Sequence, residues 1–308
     1  MTSRKKTSLL KKITQGGLVS SVIAGSSIVN GSSVSLIGLG KLFSSSKRID
    51  RAMLKYANQW ISTNNWLIDK TLTDLTWDIY IDPQLDLNLD GRYIMTCNHQ
   101  SWVDTTVNQY FVRHRMPLTR FFAKWELIFV PFAGQAFKAL GFPMMKRHSK
   151  AQIEKNPALK YRDLEEARKA CEQLLNAPFT LLNYLEGTRF SPKKHEQQQS
   201  PYQHLLKPKA GGLALALNIL GQQVDALVDM TIVYEDAVPD YSEFWLGQTQ
   251  TIRVHVRKID IPTWILQGSY ADDADYRQRF QTWVDDIWQQ KDALIEQMKQ
   301  QKTAQIAV

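Results

Sequence analysis

The sequence predicts an α/β protein: a mixed, buried sheet flanked by helices, preceded by a membrane-associated helical segment. Three observations predict it. Short apolar runs of strand length alternate with longer stretches whose apolar residues recur at helical spacing. Hydrophobic residues make up 44% of the chain and charged residues 22%, the balance of a folded globular protein. Ile13 to Gly40, 28 positions, carries no charge, yet mean hydropathy over the chain is −0.33, which argues against a polytopic membrane protein. At 308 residues the chain divides into a basic N-terminal segment, 1–51, and an α/β domain, 52–308.

The N-terminal segment begins "MTSRKKTSLLKK", with five basic residues and no acid. After the uncharged stretch the positive sign resumes at Lys41, Lys47, Arg48 and Arg51. A cleaved signal peptide would have a compact apolar centre, and "SSVIAGSSIVNGSSVSLIGLG" is diluted by Ser, Gly and Asn. A single span would carry its basic residues mainly on one side. Basic flanks on both sides fit a short hairpin or interfacial segment with both ends on the cytoplasmic face.

The remaining elements follow in order. In residues 52–77, Met53, Ala57, Trp60, Ile61, Leu67, Ile68, Leu72 and Leu75 fall near helical spacing; Trp60, Trp66 and Trp77 would suit a headgroup boundary or the core. "YIMTC" reads as a buried strand and "SWVDTTVNQYFVRH" as a helix. "FAKWELIFVPFAGQAFKAL" reads as a helix broken at Pro131, and "GFPMMKR" as a short strand. "PALKYRDLEEARKACEQLLN" is an amphipathic helix through Leu164, Ala167, Cys171, Leu174 and Leu175. "PFTLLNYL" is a strand, "KKHEQQQSPYQHLLK" a long polar loop, "PKAGGLALALNIL" a helix, and "ALVDMTIVY" and "TIRVHV" are strands. A terminal helix aligns Phe280, Val284, Ile287, Leu294 and Met298.

A net charge of +8 and a pI near 9.3 point to a negatively charged partner: nucleic acid, anionic lipid or a phosphorylated ligand. No nucleic-acid-binding motif stands out. Cys97 and Cys171 form neither a disulfide framework nor a zinc signature, which favours a reducing compartment and no metal.

The chemistry concentrates in "RYIMTCNHQSWVD". His99 closes a strand, and Asp104 stands at the start of a helix. With 6 His and 20 Asp in the chain, chance supplies roughly 0.4 His-x-x-x-x-Asp pairs, so the pair alone is weak. Ser101 with Asp104 is also a capping-box pattern, a structural account of the acid. The chemical reading folds Asp104 back to hold one imidazole nitrogen, leaving the other free as a base. Three further clusters add weight: Lys124 with Glu126, Lys146-Arg147, and Glu186-Gly187-Thr188-Arg189, each at the end or edge of an apolar element. Ligands of α/β sheets gather at strand C-termini, arginine suits phosphate oxygens, and glycine admits close backbone approach.

In this order the blocks resemble the 1-acylglycerol-3-phosphate (lysophosphatidate) acyltransferase family. "NHQSWVD" matches its Asn-His-x-x-x-x-Asp block, "KWELIFVPFAGQAFKALGFPMMKR" its second block, and "LEGTRFS" its Glu-Gly-Thr-Arg block. The resemblance runs from about Arg92 to Tyr234. A fourth block usually carries Val-Pro; here "LVDMTIVY" puts Asp229 in the proline's place. That departure resembles the lysocardiolipin-acyltransferase-like branch, including bacterial inner-membrane members.

The resemblance implies a glycerolipid-acyltransferase-like fold and direct O-acyl transfer in phospholipid synthesis or remodelling. Acyl-CoA or acyl-carrier protein would be the co-substrate, a lysophospholipid the acceptor, and no cofactor is needed. It implies His99 as base and Asp104 as its orienting partner. Lys124, Arg147 and Arg189 would hold the acceptor phosphate, with Glu186, Gly187 and Thr188 shaping that site and Glu186 bracing it. It places the protein on the bacterial inner membrane, active site toward the cytoplasm, with membrane lipids as partners. Two rivals compete: an acyl thioesterase or lipid hydrolase, and a basic peripheral-membrane protein without catalysis. The first lacks a Gly-x-Ser-x-Gly elbow.

Overall fold

A computed structural model describes residues 9–40, 43, 46–131, 134–145, 150–156 and 158–306. The uncharged stretch forms one helix, α1 (Leu9–Leu39), with no turn inside it. Of the two forms expected for this stretch, a short hairpin or an interfacial segment, the hairpin's turn is not within it: the chain turns after Leu39, and α2 (Lys47–Thr71) returns along α1. Gln15 near the start of α1 donates to Thr71 O at 3.2 Å, so the two helices run antiparallel. Ser46 caps α2 by accepting from Arg48 N. The boundary expected between residues 51 and 52 falls inside this helix. Among the described residues, one helix, Thr14–Leu39, is long and apolar enough to cross a membrane by length and composition.

The remaining elements are β1 (Thr76–Ile81), β2 (Arg92–Cys97), α3 (Val103–Val112), β3 (Thr119–Phe121), β4 (Ala123–Lys124), α4 (Gly134–Ala139), β5 (Met144–Met145), α5 (Lys150–Lys155), α6 (Ala158–Leu174), β6 (Phe179–Tyr184), α7 (Pro192–Gln198), α8 (Gly211–Leu220), β7 (Ala226–Tyr234), α9 (Tyr241–Trp245), β8 (Thr251–Ile259) and α10 (Ala274–Ile306). The main sheet has strand order β1-β8-β7-β2-β6-β3, and β4 pairs with β5 apart from it. All neighbours in the main sheet are parallel except β7 with β8, so the sheet is mixed as expected. The β-branched and aliphatic run of β7 is buried at every position because helices cover both faces.

On one face Tyr93, Met95 and Cys97 of β2 pack with Val103, Val107 and Phe111 of α3 and with Leu67 and Ile68 of α2. On the other, Ile94, Phe179, Leu181 and Leu227 pack with Leu213 and Leu217 of α8 and Phe280, Val284 and Trp288 of α10. Through this second layer runs a buried ionic cluster. Asp229 Oδ1 lies 2.8 Å from Lys291 Nζ and accepts from Thr96 Oγ1 at 2.7 Å, and Oδ2 accepts from Arg257 Nε at 3.0 Å. Lysine and arginine hold the Asp229 carboxyl below the usual range, against the opposing effect of its burial.

Local expectations fail where short-range polarity competed with packing. "KKHEQQQSPYQHLLK" is not all loop: Ser191 caps and Pro192 opens α7. "WELIF" forms a 3-10 turn over Trp125–Phe129 instead of an α-helix. The chain doubles back there, and Gly134 N donates to Val130 O at 2.9 Å. A side chain at Gly134 would collide with the carbonyls of Leu127 and Ile128. Trp77, placed on a helix above, lies in β1 and stacks on Tyr110 at 4.1 Å.

Candidate active site

Parallel strands β6, β2 and β7 end at one edge of the sheet, with Cys97 opposite both Tyr184 and Met230. The loop after β2 therefore meets the turn after β6 and the end of β7. Asn98 starts that loop by pairing with Ile232 as a strand residue would: its Nδ2 donates to Ile232 O and its Oδ1 accepts from Ile232 N, both at 2.9 Å. His99 comes next. Its imidazole stacks on Tyr184 with ring centroids 4.1 Å apart, and its carbonyl accepts from Phe190 N at 2.7 Å. The histidine is thus held by two contacts, one to its ring and one to its backbone, before any acid is considered.

Asp104, in the first turn of α3, turns its carboxylate back over this loop. Oδ2 accepts from Gln100 N at 2.6 Å and Ser101 N at 2.8 Å, and lies 2.9 Å from His99 Nδ1. The same atom thus makes both the bond to Ser101 N that the structural account of Asp104 expects and the contact with His99 Nδ1 that the chemical account expects. Because Oδ2 already faces two N–H donors, Nδ1 is assigned the hydrogen and Nε2 the free lone pair. Asp104 is 1% exposed and the imidazole 15%, so the carboxylate is shielded while the ring keeps access to solvent. Ser101 Oγ accepts from Val103 N at 3.1 Å and donates to Pro239 O at 2.5 Å, engaged as both acceptor and donor.

Glu186 is fully buried beside this pair. Its Oε1 accepts from His99 N at 2.8 Å and its Oε2 from Leu206 N at 3.1 Å. Burial pushes its carboxyl up to about 7, outweighing those two N–H donors and nearby Lys291. Gly187 follows at φ +65°, a left-handed conformation, with Lys209 Nζ 3.2 Å from where a β-carbon would sit. Thr188 Oγ1 accepts from Lys194 Nζ at 2.7 Å. The Arg189 guanidinium lies over the exposed Trp102 ring at 4.3 Å. The β2–α3 loop and the Glu-Gly-Thr-Arg turn thus form one surface.

His99, Asp104, Glu186, Gly187, Thr188 and Arg189 are brought together as the sequence suggested. Lys124 stands exposed at the end of β4, and Arg147 lies outside the described residues. Sequence reasoning missed Tyr234, whose phenol donates to Asp104 Oδ1 at 2.6 Å. It also missed Trp102 as a platform for Arg189. Tyr234 left one signal, a polar-tipped aromatic closing an apolar strand.

Comparison with known proteins places these observations in a wider setting. A family model described as "Acyltransferase" matches residues 79–235. An uncharacterized acyltransferase of Saccharomyces cerevisiae is 26% identical over 234 residues, covering 67% of this chain and 58% of that protein. A 2-acyl-1-lysophosphatidylinositol acyltransferase of the same yeast is 25% identical over 137 residues, 39% of this chain and 32% of its own. The 1-acyl-sn-glycerol-3-phosphate acyltransferase epsilon of Mus musculus is 25% identical over 191 residues, 54% and 49% respectively. The chain spans about half the length of the curated relatives it matches. In fold it is similar to the crystal structure of the 1-acyl-sn-glycerophosphate acyltransferase PlsC from Thermotoga maritima. The TM-score is 0.52 at 16% identity, covering 96% of this chain and 98% of that one.

Proposed function

This chain belongs to the acyltransferase family, and from that premise we propose that it moves a fatty acyl group from a thioester to the free hydroxyl of a lysophospholipid. The observation that carries the reading is the His99–Asp104 pair at 2.9 Å, buried on the acid's side and open on the base's, at the edge where three parallel strands end.

The acceptor hydroxyl gives its proton to His99 Nε2 as its oxygen attacks the thioester carbonyl carbon. Asp104 orients the ring and stabilises the imidazolium. The tetrahedral intermediate then collapses, the carbon–sulfur bond breaks, and the thiolate takes the proton back from the imidazolium. No acyl-enzyme is required, and the engaged hydroxyl of Ser101 is not positioned to be a nucleophile. Arg189, with Lys124 and Arg147, binds the acceptor phosphate. Gly187 and Thr188 shape the turn that carries Arg189. Acyl-CoA or acyl-carrier protein is the donor.

The protein works at a membrane, which supplies its lipid substrate. Along α1, Leu18, Val29, Leu36 and Leu39 are more than half exposed, an apolar surface suited to lipid. The membrane of this reading is the bacterial inner membrane, with the site on its cytoplasmic side.

The test is turnover of one acyl-CoA across a panel of lysophospholipids by wild type and His99→Ala. Loss of the base should lower the rate by on the order of 10²–10⁴-fold with the fold retained. Near-wild-type turnover by His99→Ala refutes the mechanism. Hydrolysis of acyl-CoA at equal rate without acceptor would identify a thioesterase instead.

A further inference from the structure

Proton transfer to His99 uses Asp104 Oδ2 and leaves Oδ1 unexplained. Oδ1 accepts from the Tyr234 hydroxyl at 2.6 Å. Tyr234 is the last residue of β7 and is 4% exposed, so this bond spans the sheet edge from β7 to α3 out of contact with bulk water. The carboxylate is therefore gripped at both ends: Oδ2 by the loop after β2, Oδ1 by a separate strand.

We propose that Tyr234 is a positioning residue for acyl transfer, acting on His99 through Asp104; the inference rests on His99 being the base. Two physical effects carry it. Oδ1 is pinned by β7 while Oδ2 is pinned by the Gln100 and Ser101 amides, so the carboxylate cannot rotate away from Nδ1. A hydroxyl bonded to a carboxylate also draws negative charge toward Oδ1. The charge that Asp104 presents to Nδ1 is then smaller than that of a bare carboxylate.

The phenol is suited to this task. Burial and the adjacent Asp104 push its ionisation well above the ordinary range, so it remains a donor at working pH. The other titratable groups facing the pair are Cys97 of β2, Tyr184 and Glu186 at the end of β6, and Asp229 of β7 with Lys291 of α10. Burial keeps Cys97 and Tyr184 neutral and Asp229 is paired with Lys291; Glu186, pushed up to about 7, bonds the His99 and Leu206 amides and not Asp104, so its titration is common to wild type and variant. Among the described residues, Tyr234 is the side chain that bonds Oδ1.

Tyr234→Phe deletes one oxygen and keeps the ring that fills the core. It is to be measured on the acyl-CoA and lysophospholipid pair that the wild type turns over fastest. Expected is a fall in kcat of about ten- to a hundredfold, the loss of one charge-assisted hydrogen bond, with both KM values within about twofold. The acid limb of the kcat/KM profile should move up by about one pH unit. The midpoint of that limb does not depend on how much of the sample is folded, so a partly misfolded variant still answers. An unchanged limb with unchanged kcat, or a lowered melting temperature as the sole effect, would reduce Tyr234 to packing and overturn the proposal. His99→Ala, run alongside, separates the two readings. If it retains turnover, the base assignment falls and this inference with it. If it is inactive while Tyr234→Phe behaves as wild type, this inference alone falls.

Discussion

Replacing Glu186 by glutamine tests how the His99 loop is held, because structure and burial make opposing demands there. The carboxyl accepts two backbone N–H groups, from His99 at 2.8 Å and Leu206 at 3.1 Å. Glutamine offers one acceptor oxygen and one NH2, so one of the two amides is left facing a donor. A buried unsatisfied donor costs about 1–3 kcal/mol, and this cost does not vary with pH. The second demand does vary. Burial raises the carboxyl from its ordinary 4.5 to about 7, so the folded protein holds a proton that the unfolded chain releases between those values. Stability from this group is fully present below about pH 4.5, is lost as pH rises through 7, and is level above that. The interval corresponds to about 3 kcal/mol. Wild type should therefore exceed Glu186→Gln in unfolding free energy at pH 5, and the margin should shrink by about that amount by pH 8, to near zero or below. Denaturant unfolding of both proteins in detergent at the two pH values measures the margin, and the titration of every other group cancels in the difference. A margin that is constant, or that grows toward pH 8, would show that Glu186 stays ionised in the folded protein and would refute the argument.

Two further outcomes are expected. Arg189→Ala should raise KM for the phosphate-bearing acceptor about ten- to a hundredfold and leave the donor's unchanged, with lysine rescuing in part because it keeps the charge but loses the planar fork. Steady-state kinetics with each substrate varied decides this, and a rise confined to the donor would assign Arg189 to the coenzyme side. Removing residues 1–40 should abolish flotation with liposomes and also lower the melting temperature, since α1 buries Val19 and Val34 against the domain and Gln15 binds Thr71 O and Trp245 O. Undiminished flotation would show that α1 is not the anchor.

How much of this was legible in the sequence depends on the range of the forces involved. The central strands were legible because burial on both faces leaves mostly apolar runs, as in "FTLL" and "ALVDMTIVY". Edge strand β1, half-exposed in alternation, was not read as a strand, and Trp77 near its start was placed with the helix before it. His99 and Asp104 lie five residues apart, so one loop joins them and the motif is local. Tyr234 reaches Asp104 across 130 residues, and Glu186 reaches His99 across 87; tertiary structure alone makes such pairs.

Asp229 shows that a long-range pair can still leave a trace at each end. In the sequence it stands as a charge inside an apolar run, at a position where the resembled family usually carries proline. The structure puts it in mid-strand, with ladder partners Thr96 on one side and Arg257 on the other. A proline there would have no N–H for the ladder, whereas an aspartate keeps it but needs compensation for a buried charge. The complementary anomaly was equally visible in the terminal helix. Lys291 falls on the apolar stripe formed by Val284, Ile287, Leu294 and Met298, and it is as fully buried as Asp229. A lone carboxylate in a strand and a lone ammonium on an apolar helix face are each costly by themselves, and each is explained by the other. Pairing two such violations on buried faces is thus a way to read a tertiary contact from one sequence. In this chain it would have docked α10 against the middle of the sheet.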